Sequence, residues 1–132
     1  MHRIFVYGTL RRGGVRAIEV HFPPAEFVAS AHVSGILYDL GPYPGLRLDG
    51  EQPVTGEIYQ VDDAVLEALD AYEGFNPIEP ELSEYQRRSV AAFLADGLSL
   101  DCHVYEMQFA RTTGCSAVAG GDWIAYIESR DS

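Results

Sequence analysis

Two strand-like runs, residues 85–94 and 98–107, flank Ala95-Asp96-Gly97, and Asp-Gly between β-rich segments is a strong hairpin signal. Strand and turn signals alternate through most of the chain. Ile4-Phe5-Val6-Tyr7 is β-branched and aromatic and stops at Gly8. Residues 27–40 hold two β-rich pieces, Phe27-Val28 and 33–40, ahead of the turn-rich Gly41-Pro42-Tyr43-Pro44-Gly45. Residues 54–61 alternate Val54, Gly56, Ile58 and Gln60 with Thr55, Glu57, Tyr59 and Val61, a strand of mixed burial. The period then changes. Asp62 or Asp63 can cap a helix carrying Val65, Leu66, Leu69 and Tyr72, which ends where Gly74 offers a left-handed cap. Pro77 and Pro80 make residues 75–83 a loop. Residues 123–127 fit a short helix capped by Asp122, or one more strand. The sum is a single α+β domain over residues 1–132, dominated by antiparallel strands.

Composition removes several chemistries. All nine basic residues are arginine, so a P-loop lysine, a Schiff-base lysine and a Ser-x-x-Lys acyl-transfer site are excluded. Twenty acidic residues leave a net charge of −11, which argues against a nucleic-acid partner. No stretch approaches the roughly 18 apolar residues of a membrane span and no signal peptide is evident, so a cytoplasmic location without membrane partners is expected. His2, His21, His32 and His103 lack metal-ligand spacing, and Cys102 and Cys115 lack Cys-x-x-Cys spacing, so no metal site and free thiols are expected. Gly114-Cys115-Ser116-Ala117-Val118 starts like a nucleophile elbow but has valine where the second glycine belongs.

Two places carry chemistry. Glu73 lies four residues after Leu69 and seven after Leu66, on their apolar helix face. It also falls in the last turn, where the helix dipole disfavours an anion. Desolvation and dipole both raise a carboxyl pKa, which turns a glutamate into a usable acid and base near neutral pH. A helix that frays at Tyr72 would instead let Glu73 reach water. The second place is Tyr7-Gly8-Thr9-Leu10, where a strand ends in a glycine turn. Successive N–H groups at such a turn can cradle an anion, although a plain turn has the same sequence.

Together, these two places resemble the gamma-glutamylcyclotransferase-like family. The resemblance rests on residues 5–13 (Phe-Val-Tyr-Gly-Thr-Leu-Arg-Arg-Gly), Tyr43-Pro44-Gly45-Leu46, Gly56-Glu57-Ile58-Tyr59, Leu69-Asp70-Ala71-Tyr72-Glu73-Gly74, Tyr85-Gln86-Arg87-Arg88 and Gly121-Asp122-Trp123. It implies a compact, mainly antiparallel β-barrel with flanking helices, and an enzyme that cyclises the gamma-glutamyl group of an amine or peptide adduct to 5-oxoproline. It further implies Glu73 as the catalytic acid/base, Tyr7, Gly8, Thr9 and Leu10 as the hold on the glutamyl group, and no metal or cofactor. Tyr105 joins the pocket if the hairpin register turns it inward. After Gly13 the chain departs from the family's usual polar, histidine-bearing stretch with Gly14-Val15-Arg16-Ala17, so the pocket mouth differs. A non-catalytic module binding a small acidic metabolite, and a purely structural domain, are the competing readings. The net charge favours cationic leaving amines.

Overall fold

Because the first apolar run has no polar face, it is suited to a strand buried on both sides. It forms β1 (His2–Val6), and the computed structural model, which describes residues 1–76, 78–79 and 83–130, places it inside a sheet. β1 pairs antiparallel with β3 (Pro44–Val61) and meets β5 (Ser99–Met107) in parallel, with Ile4 opposite His103. β5 pairs with β4 (Tyr85–Phe93), β4 meets β2 (Ala25–Asp39) at Phe93 and His32, and β2 lies antiparallel to β3. Among the described residues these five strands close a mainly antiparallel barrel, to which β6 (Ser116–Ala117) adds at the end of β2. This is the expected α+β barrel.

Both faces of β1 are used. Phe5 and Tyr7 join residues from β2 to β5, including Val33, Leu37, Leu46, Ile58 and Val104, in the barrel interior, and Trp123 packs there too. Ile4 and Val6 face the other way, toward Tyr59, Val61 and the apolar stripe of α2 (Asp63–Tyr72). That stripe is Val65, Leu66 and Leu69, each buried, and burial of such a side chain stabilises by roughly 1.5–3 kcal/mol. Asp62 caps the helix, its carboxylate accepting from the Val65 N–H at 2.9 Å. No helix of the described residues is long and apolar enough to cross a membrane.

The hairpin turns at Leu94–Leu98, with Gly97 at a φ of +87° and the Leu98 N–H donating to Asp96. Several boundaries differ from expectation. Ala25–Asp39 form one strand, not two pieces, because pairing with β3 carries the weak β-formers in the middle and a bulge between Phe27 and Ala29 absorbs the irregularity. Pro44 and Gly45 belong to β3 and not to the turn, since a proline needs no ladder N–H at a strand's first residue. Gly45 is required there, because a Cβ would approach Met107 to 2.9 Å. Residues 123–127 resolve as helix, α4 (Trp123–Arg130), with Asp122 accepting from the Ala125 N–H. The helices α1 (Ile18–His21) and α3 (Phe109–Thr112), four residues each, are too short to show a period. Of the expected loop at 75–83, Pro77, Pro80, Glu81 and Leu82 lie outside the described residues.

Candidate active site

Glu73 owes its position to Gly74. The glycine takes a φ of +69°, its N–H donates to Ala71 O, and the Phe75 N–H reaches back to Asp70 O at 2.9 Å. Those two bonds are the Schellman pattern that closes a helix. Glu73 is therefore the last residue with helical dihedrals, and its own N–H still donates to Leu69 O at 2.9 Å. The helix does not fray at Tyr72.

The side chain enters a cavity of about 400 Å³, within the range of small-ligand sites. Tyr7, Gly8, Thr9, Leu10, Glu73 and Tyr105 all line it, so the six residues singled out from the sequence meet in one place. Tyr43, Pro44, Tyr72, Glu84 and Tyr85 complete much of the wall, and Val15 and Arg16 stand at the exposed side. Glu73 keeps partial exposure through this cavity. Burial of its carboxyl, and then the negative charge of Glu84, push its pKa from 4.5 up to about 8. The desolvation was legible in the helix pattern. The Glu84 contribution was not, because that residue is carried to the helix end by the start of β4, where its N–H donates to Gly74 O at 3.1 Å.

Four of the cavity's tyrosines, Tyr7, Tyr43, Tyr85 and Tyr105, are walls with committed hydroxyls. Tyr7 donates to Tyr105 O at 2.6 Å, Tyr85 to Pro44 O at 3.0 Å, and Tyr105 to the Asp70 carboxylate at 2.7 Å. Burial holds the phenols of Tyr7, Tyr85 and Tyr105 well above their ordinary pKa. Tyr43 donates to Glu84, which also pairs with Arg111 at 3.3 Å. Within the buried wall the polar capacity left for a ligand is therefore the Glu73 carboxyl and the loop main chain, with the Arg16 side chain and the Tyr72 hydroxyl at the exposed side. The carbonyls of Gly8, Thr9 and Leu10 accept from Arg11, Arg16 and Ile18, whereas among the described residues their N–H groups donate to no partner. Gly8 is needed at the loop's start, since a Cβ there would sit 2.6 Å from Pro44 Cγ.

A buried clamp holds this loop. Arg11 Nε donates to Glu57 at 2.6 Å and its Nη1 to Asp122 at 2.8 Å, while the Arg12 N–H donates to the other Glu57 oxygen at 2.8 Å. The clamp joins three pieces of the sequence pattern whose purpose was not legible in the chain: the loop arginines, Gly56-Glu57 and Gly121-Asp122-Trp123. Gly56 lets the strands approach closely beside Glu57, as a Cβ on it would collide with Val6 O.

The model of the family described as Gamma-glutamyl cyclotransferase, AIG2-like matches residues 4–125. The chain belongs to this family. YtfP of Escherichia coli, named a gamma-glutamylcyclotransferase family protein, is 31% identical over 124 residues, 92% of this chain and 96% of YtfP. The solution structure of ytfP has a TM-score of 0.60 at 30% identity and covers 98% of this chain and 99% of that one. A Vibrio cholerae relative bearing the gamma-glutamylcyclotransferase name is 41% identical over 78 residues, 59% of this chain and 66% of the relative. The Gamma-L-glutamyl-butirosin B gamma-glutamyl cyclotransferase of Niallia circulans is 38% identical over 77 residues, 57% of this chain, which spans only 47% of that protein.

Glu73 also makes stability depend on pH. Its folded pKa of about 8 lies above the unfolded 4.5, so its stabilising contribution is complete below pH 4.5 and is lost as pH rises to about 8. Glu73→Gln, which cannot ionise, should match the parent's melting temperature near pH 4 and exceed it increasingly up to pH 8. A melting-temperature difference that stays flat across that window would show that Glu73 is not held protonated.

Proposed function

We propose that this family member is a cofactor-independent gamma-glutamylcyclotransferase, with Glu73 as the proton-transfer group. The observation that supports it most is the meeting of a proton-retaining glutamate and the loop of Tyr7, Gly8, Thr9 and Leu10 in one cavity. A substrate folded into that space supplies its own nucleophile. The alpha-amine attacks the gamma-carbonyl carbon, a five-membered lactam closes, and the bond to the leaving amine breaks. The protein's task is to hold the folded pose, a proximity effect of potentially several kcal/mol.

Glu73 takes the proton that the alpha-amine must shed and returns one to the departing nitrogen. A carboxyl raised to about 8 is a much stronger base than an ordinary carboxylate, which brings it closer to the substrate's amino group and eases the transfer in both directions. The N–H groups of Gly8, Thr9 and Leu10 hold the substrate's alpha-carboxylate or the developing oxyanion. Tyr7 and Tyr105 act as walls, since their hydroxyls are already engaged.

The test is incubation with a panel of gamma-glutamyl amides and mass-spectrometric detection of 5-oxoproline. Release of 5-oxoproline together with the free amine supports catalysis. Saturable thermal stabilisation by the amides, with no product over hours, would favour a binding module instead.

A further inference from the structure

Nine arginines must share twenty carboxylates, and eight of them are engaged with a carboxylate or a main-chain carbonyl. The ninth is Arg16. Among the described residues its guanidinium has no acceptor, in a chain whose net charge of −11 offers partners everywhere else. Its main chain is not loose: the Arg16 N–H donates to Thr9 O at 2.9 Å, which fixes it to the candidate substrate loop. The side chain is exposed and lines the cavity, so it stands where the end of a bound substrate emerges.

We propose that Arg16 is a specificity-determining residue that selects gamma-glutamyl adducts whose leaving amine carries a carboxylate. This rests on the cyclotransferase reading above. The guanidinium fork matches a carboxylate with two parallel N–H donors, which no other group at the mouth supplies. Beside it, Val15 and Tyr72 line the same cavity and leave apolar surface exposed, suited to the body of an amino acid. A cationic leaving group finds less there. Glu84 is already answered by Arg111 and Tyr43, and Glu73 retains its proton at neutral pH. The net negative charge would favour cations at long range, but such fields are screened over roughly 8 Å at physiological salt, whereas Arg16 acts in contact.

Three probes decide it: gamma-glutamyl-valine, gamma-glutamyl-isobutylamide, which is the same adduct without the carboxylate, and gamma-glutamyl-putrescine. The parent protein should favour the valine adduct over the isobutylamide by about fivefold in kcat/KM, the upper end for an exposed but bidentate pair. Arg16→Ala should bring that ratio close to one, the loss falling on KM, and Arg16→Glu should turn the preference toward putrescine. High salt should shrink the parent's ratio and leave that of Arg16→Ala unmoved. Equal turnover of the three probes by the parent, or an equal loss on the valine and isobutyl adducts in Arg16→Ala, would overturn the role of Arg16 while leaving the cyclotransferase reading intact. No 5-oxoproline from any probe would overturn both.

Discussion

Glu73→Gln is expected to slow 5-oxoproline release by about 10²- to 10⁴-fold, the span of a lost general acid–base group. The amide keeps the shape of the side chain and removes its proton exchange, so the loss should fall on kcat with the fold intact. The reason lies in the helix end. Gly74 in a left-handed conformation closes α2 at its cap Glu73, whose carboxyl lines a cavity and is kept protonated by its burial and then by the charge of Glu84. Below pH 8 the base form is the minor one, so kcat/KM of the parent should rise toward pH 8 and level beyond it. Steady-state kinetics on any turned-over gamma-glutamyl amide checks both statements. A Glu73→Gln protein within threefold of the parent would remove Glu73 from the mechanism.

Arg11→Met should be the most damaging single change to stability away from the apolar core. Arg11 and Glu57 side chains are 11% and 7% exposed, and removing one partner of a buried pair leaves the other charge uncompensated, at about 3–5 kcal/mol. Asp122, which caps α4, loses its contact with the same guanidinium. Urea unfolding followed by circular dichroism reads the change from the midpoint at constant slope. Arg11→Met with Glu57→Leu should recover part of the loss, because the buried charge is then gone and the carboxylate left without its arginine, Asp122, is partly exposed. Arg12→Ala removes the exposed pair with Glu19 and the guanidinium over the Phe27 ring, both at the surface, and should move the midpoint much less. A midpoint for Arg11→Met equal to that of Arg12→Ala would show that the clamp does not hold the loop.

What could be read in the chain, and what could not, divides along the length scale of the interactions. Glu73 was legible because helix periodicity and Gly74 are local, and they place a carboxyl on an apolar face within one segment. The loop at 7–10 was legible locally only as a strand that ends on a glycine, and as a hold on a ligand only through the family resemblance. The Asp96-Gly97 hairpin needed only its own turn. Glu84 was not legible, since its charge matters only after β4 is carried to the end of α2. The clamp was equally hidden: Arg11 finds Glu57 across 46 positions and Asp122 across 111, and adjacency in the chain says nothing about such pairs. The continuity of β2 through Ala29-Ser30-Ala31-His32 was missed because its stability comes from the partner strand and not from β propensity. Arg16 showed only as a departure from the family pattern, and its isolation emerged once every other arginine had a partner.

Titration of the Glu73 carboxyl itself decides the matter, by carbon-13 NMR of the protein labelled at glutamate side chains, with Glu73→Gln used to assign the signal. The carboxyl should change protonation near pH 8 in the unliganded protein. A Glu73 signal that titrates at its ordinary value near 4.5 would contradict it.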